Sequence, residues 1–259
     1  MRMNKTWRII LIVFLSFFAY HYFRQFFGPI KGALDNITHF GLLSYLLTYL
    51  LIGLPIFIGT YFINREKNIL KSLGLTNKVA KAFLFALLFT LPMLIGGAAF
   101  FTFHTHLKIE NLIAGSIVIG FIEELYFRGF LFGQLYRYTN IGFIPAICFG
   151  ALIFASGHLY QSQDLNELIG IFVITFMGAI LFAWLYVEWD YNLWVPIFLH
   201  SFMNLSWHLF EMDETALGGI TANILRGLTI AFAIAFTVIS KKRSNQKLAI
   251  NRETILLKS

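Results

Sequence analysis

Apolar runs of about 20 residues recur along almost the whole of this 259-residue chain. At 1.5 Å per residue, each can cross a hydrocarbon layer roughly 30 Å thick. A chain patterned this way must satisfy its backbone N–H and C=O groups internally, which in lipid means helices. Composition agrees: 58% of residues are hydrophobic and only 13% charged, with a mean hydropathy of +0.72. A soluble domain carries about 25% charged residues. An ordinary water-soluble enzyme and a disordered tail are both excluded. The expected fold is all-α: a polytopic membrane helical bundle of about eight transmembrane helices around a polar cavity, forming a single membrane domain over residues 1–259.

The predicted spans are 8–27, 40–63, 82–103, 111–136, 142–160, 168–188, 193–210 and 218–240. The first reads as a retained anchor rather than a secretory signal, because Tyr20, His21, Tyr22 and Phe23 follow its apolar core where small residues would mark a cleavage site. With the N-terminus on the inside, sixteen of the twenty Lys and Arg residues fall on the cytoplasmic side. Only Arg24, Lys31, Lys108 and Arg226 fall outside. That asymmetry predicts an integral, multi-pass membrane protein (in the cell membrane if bacterial) with both termini cytoplasmic. The net charge of +7 is thus a topology signal, and no nucleic acid partner is expected beside the lipid bilayer. The segment 64–81 reads as a basic, solvated cytoplasmic loop, and 241–259 as a polar, mobile cytoplasmic tail. The single cysteine, Cys148, lies in an apolar run and excludes an internal disulfide or a CxxC site.

Against this apolar background the ionisable residues within spans are the informative ones, since an ionised group at mid-bilayer costs about 2.5–3.5 kcal/mol on insertion scales. Span four carries Glu123, Glu124 and Arg128. Span five carries His158, and span seven carries His200 and Asn204 with His208 one turn further. Glu124 and Arg128, four residues apart, share a helix face and suit an internal ion pair. Glu123 is rotated about 100° from Glu124, so the two carboxylates need not share a role. Glu124 lies 17 residues before Ile141 and His158 lies 17 after it. A straight antiparallel hairpin would put them at one level, although Pro145 can shift that register. Taken singly, each group has a structural reading, such as an ion pair tying helices together, a satisfied core histidine or an interhelical amide. Two acids, two imidazoles and an amide on separate helices are harder to explain as packing alone.

Glu-Glu-x-x-x-Arg (Glu123, Glu124, Arg128), then Phe-x-x-x-His (Phe154, His158), then His-x-x-x-Asn (His200, Asn204) resembles the signature of the CAAX-protease and bacteriocin-processing family of intramembrane proteases, also called CPBP or Abi. The resemblance covers about residues 110–210, a CPBP-like catalytic core. It implies an endopeptidase cutting near the membrane surface from a cavity open to the cytoplasm, acting on a membrane-associated protein or peptide that is in some relatives prenylated. By that analogy Glu123 and His158 hold and activate a water, Glu124 with Arg128 maintains the site, and His200 with Asn204 stabilises the oxyanion. Peptide hydrolysis needs such a base and such donors.

No cofactor is expected on this reading. A zinc alternative stays open, with Glu123, His158 and His200 as three ligands and a fourth position for water. There is no His-Glu-x-x-His sequence. Two other classes of function compete. Intramembrane Glu and His also build proton relays, and Pro55, Pro92, Pro145 and Pro196 interrupt spans as in a proton-coupled transporter. A catalytically silent member that regulates a membrane signalling partner is the third reading, although every motif position is filled.

Overall fold

The structure, a computed structural model, describes residues 4–64 and 68–257, so Arg2, Arg65, Lys67 and Lys258 of the charge count lie outside the described residues. Among the described residues the chain is helical, and the lone β-type contact is an antiparallel bridge between Ile141 and Leu257. The helices are α1 (Lys5–Arg24), α2 (Phe27–Thr38), α3 (Gly41–Ile52), α4 (Leu54–Ile63), α5 (Ile69–Leu73) and α6 (Val79–Phe100). They continue with α7 (Ile109–Leu112), α8 (Ile119–Glu123), α9 (Gly133–Tyr138), α10 (Phe143–Ser156), α11 (Leu165–Glu188), α12 (Trp194–Leu209) and α13 (Ile220–Arg243). Two π-helical stretches, Ile113–Val118 and Glu124–Phe132, join α7, α8 and α9 into one continuous pass.

Among the described residues, five helices are long and apolar enough to cross a membrane: α1, α6, α10 extended to Gln161, α11 and α13. A sixth results if α3 and α4, bent 43° about Gly53, cross as one span. The expected count of eight is not reached on these criteria. The predicted span 111–136 is helical but divided by π turns and loaded with Glu123, Glu124 and Arg128, while α12 has only 16 residues. Apolar side chains such as Leu15, Ile95, Met177 and Phe232 lie exposed on the bundle surface, as a lipid-facing wall requires.

Local sequence sets the helix limits. Asn4 accepts the Thr6 N–H to start α1, Asn68 accepts the Leu70 N–H to start α5, and Asp164 accepts the Glu167 N–H to start α11. Gly74, at φ +86°, ends α5 in a left-handed turn, and a Cβ there would lie 2.4 Å from the Tyr191 carbonyl. The Leu193 N–H donates to the Gly74 carbonyl, so this turn docks directly on the start of α12.

Two readings of polar segments need correction. The 64–81 segment is not merely a solvated loop: Asn64, Ser72 and Leu73 are buried, with Asn64 donating to Ser72 and Gln134, and Arg137 donating to the Ser72 carbonyl. Gln134 and Arg137 sit on a helix 62 or more residues further along the chain, so local polarity did not reveal them. Nor is the tail loose. The N–H groups of Gly142, Phe143 and Ile144 donate to the carbonyls of Leu256, Thr254 and Ile255. Next in sequence is Pro145, which has no N–H, so the tail satisfies the start of α10. The Glu188 carboxylate is buried and accepts the N–H groups of Ala249 and Ile250. Lys241 lies 3.5 Å from it.

These contacts define two ends of the bundle. One gathers the α5 turn, the 190–193 turn, the start of α10 and the C-terminal segment, with α1 packed along α4 and α9. The other gathers the end of α1, α2, the start of α3 and the loops around 101–108, 157–164 and 210–219. It is closed by a His104 N–H bond to the Leu209 carbonyl.

Candidate active site

A cavity of about 1210 Å³ lies toward the second end. Glu123, His158, His200 and Asn204 all line it. They arrive from different elements: the end of α8, the turn after α10, and two successive turns of α12. Ring contact between Phe127 and Phe154, 5.1 Å apart, sets the level of α10 against the fourth pass. Phe127 lies 14 residues before Ile141 and Phe154 lies 13 after it, one residue from a symmetric hairpin register.

A glycine-sized contact brings α12 close to α8. A Cβ on Gly120 would fall 2.6 Å from Ser201 Oγ and 3.0 Å from the Ser201 nitrogen, so only hydrogen fits where the helices cross. At this distance the side chain of His200 reaches between the two carboxylates. Its Nδ1 lies 2.8 Å from Glu124 Oε1, and its Nε2 lies 3.7 Å from Glu123 Oε2. Since a carboxylate is acceptor-only, Nδ1–H donates to Glu124.

Glu124 and Arg128 are fully buried and stand behind the cavity wall. The predicted i,i+4 pair is present, with Arg128 Nη1 3.0 Å from Glu124 Oε1. None of the guanidinium nitrogens makes an aligned hydrogen bond among the described residues. The close N···O distance with no aligned hydrogen identifies a charge–charge contact. Two aromatic faces complete the cation's surroundings: Phe154 at 4.6 Å and Phe182 at 5.4 Å from its central carbon. Phe182 also stacks on His200, with centroids 5.0 Å apart and planes 19° from parallel. Sequence reasoning missed Phe182, since nothing distinguishes it from the other 29 phenylalanines until α11 is packed.

His158 is held differently. Its Nδ1 lies 2.8 Å from the Phe154 carbonyl, which can only accept, so Nδ1 carries hydrogen and Nε2 is the ring nitrogen left for other partners. Asn204 Nδ2 lies 3.5 Å from the Gly115 carbonyl, at the outer limit of a hydrogen bond, and is open to other acceptors. His208 lines the same cavity.

The expected partition of roles is thus rearranged in space. His200 contacts both carboxylates, whereas the sequence reading grouped it with Asn204 alone. Among the described residues no three His, Cys, Asp or Glu side chains converge as a metal-binding group. Of the three residues named as zinc ligands, His200 lies against Glu123, whereas the polar contact of His158 is to the Phe154 carbonyl. A second correction concerns direction. The cavity lies toward the end opposite the C-terminal segment and the start of α1, so cytoplasmic termini and a cavity open to the cytoplasm cannot both hold.

The helical architecture and the polar pocket within it define a polytopic membrane protein with a buried acid–imidazole site. Residues 105–206 match the model of a family described as type II CAAX prenyl endopeptidase Rce1-like. A 93-residue stretch is 40% identical to the "Putative membrane peptidase YdiL" of Bacillus subtilis (strain 168), covering 36% of this chain and 34% of that relative. The match spans about a third of the curated relative's length. Both similarities are consistent with the CPBP family that the three motifs resemble, and the family match includes every motif residue.

Proposed function

We propose that the protein is an intramembrane endopeptidase that hydrolyses a peptide bond of a membrane-associated protein or peptide through a water activated by glutamate and histidine. The observation that carries this reading is the presence of Glu123, His158, His200 and Asn204 on one cavity wall, with Glu124 and Arg128 immediately behind. The family match and the membrane peptidase relative support a membrane protease.

In this mechanism His158 Nε2 accepts a hydrogen bond from the attacking water and orients it. The Glu123 carboxylate takes the water's other proton as its oxygen bonds to the scissile carbonyl carbon. The carbonyl oxygen becomes an oxyanion that accepts from Asn204 Nδ2–H and from His200. With Nδ1–H given to Glu124, His200 donates to the oxyanion through Nε2 when both ring nitrogens carry hydrogen. Arg128 balances the second buried charge. Collapse of the intermediate breaks the C–N bond as Glu123 returns its proton to the leaving amine.

The test is cleavage of membrane-tethered peptides by purified protein in detergent or vesicles. Glu123→Gln keeps the shape and removes the base, and is expected to lower kcat by about 10²–10⁴-fold while thermal unfolding stays near wild type. His158→Ala and His200→Ala are expected to lose activity as well. Unchanged cleavage in all three variants would refute the assignment.

A further inference from the structure

We infer that the cavity opens on the extracytoplasmic side of the membrane, and that the substrate is a polypeptide segment presented at that outer surface. The substrate half of this inference rests on the proposed peptidase reading, whereas the orientation stands without it.

The first observation is geometric. Residues lining the cavity include Arg24 at the end of α1, Tyr45 near the start of α3, Leu107, and Glu214 of the loop before α13. Every one belongs to the second end of the bundle. The C-terminal segment, bonded to Gly142–Ile144 and Glu188, belongs to the other. Phe27 of α2 packs on Tyr45 and Tyr49, which fixes α2 and its Lys31 at the cavity end as well.

The second observation is the charge on the two ends. Among the described residues, eleven Lys and Arg side chains belong to the far end: Lys5 and Arg8, three between Lys71 and Lys81, Arg137, and five between Lys241 and Arg252. The cavity end has four, Arg24, Lys31, Lys108 and Arg226. Two of those four are committed locally. Lys31 pairs with Asp35 at 2.7 Å, and Arg226 donates to the carbonyls of Ala216 and Leu217 and to Asn223. Basic residues close to span ends remain on the cytoplasmic side, and short connecting loops such as these are where that bias is decisive. The far end is therefore cytoplasmic and the mouth external. Glu211, Asp213 and Glu214 add an acidic rim on the external side.

The orientation selects among substrates. A protein tethered by a lipid at the inner leaflet would meet the closed, basic end of the bundle. A juxtamembrane stretch or an exported peptide at the outer leaflet would meet the mouth.

The experiment starts from Cys148→Ala, which removes the native thiol. Gln163→Cys then places a thiol on the exposed loop at the cavity end, and Gln246→Cys one on the exposed segment at the opposite end. Intact cells expressing each variant are treated with a membrane-impermeant maleimide. Gln163→Cys is expected to label at least tenfold faster than Gln246→Cys, with permeabilisation abolishing the difference. Faster labelling of Gln246→Cys, or equal labelling of both in intact cells, would overturn the orientation. In parallel, one cleavable segment is carried on either side of a tethered reporter. Cleavage of the outer reporter alone, lost with Glu123→Gln, supports the substrate class, and cleavage of the cytoplasmic reporter alone overturns it. External labelling of Gln163→Cys with neither reporter cut would leave the orientation standing and refute the peptidase reading.

Discussion

Arg128 illustrates how much a single residue type discloses. A guanidinium four positions after a glutamate in an apolar helix predicts an ion pair, and the pair is there, fully buried. What the spacing does not disclose is the environment: Phe154 and Phe182 come from α10 and α11, and only packing brings them to the cation. Removing one member of a buried pair strands the other charge. Arg128→Met is therefore expected to destabilise the protein by about 3–5 kcal/mol. Glu124→Gln combined with Arg128→Met should recover part of that loss, measured as thermal unfolding in detergent. The link from His200 to Glu124 was equally hidden, because the two residues are 76 positions apart and their contact depends on tertiary packing. Sequence picked out the ionisable groups within the spans, and the fold decided which of them touch.

At the scale of elements, most of the helices were legible from the length of their apolar runs, and their limits shifted by only a few residues where caps intervened. The break at Gly53, the separate helix α2 and the π stretches were not, since hydropathy averaged over a span is insensitive to a local change of helical period. The crossing of α8 and α12 depends on Gly120, which looked like one small residue among many. Gly120→Val is expected to push α12 away by forcing a methyl into Ser201, lengthening the His200–Glu124 contact. Peptide cleavage should then fall at least tenfold with only a modest loss of helicity, read by circular dichroism alongside the activity assay. Full activity in that variant would show that the close crossing does not hold the site together.

For the molecule as a whole, membrane character was readable from sequence, while the relation between the pocket and the termini was not. That relation depends on which ends of antiparallel helices enclose the pocket. It also depends on a C-terminal segment whose polar residues gave no hint of a docking partner. Glu188→Ala is expected to free Ala249 and Ile250, seen as faster proteolysis between Lys247 and Arg252 and faster amide exchange at Gly142–Ile144. Slow exchange at those amides in the variant would mean the segment is held without the carboxylate. The partnership also bears on biosynthesis. Helix α10, which leads to His158, receives the acceptors for its first amides from residues 254–256, more than a hundred positions downstream. A chain still emerging from the ribosome cannot complete that helix start, so the pocket acquires its finished form only after residues 254–256 have been released.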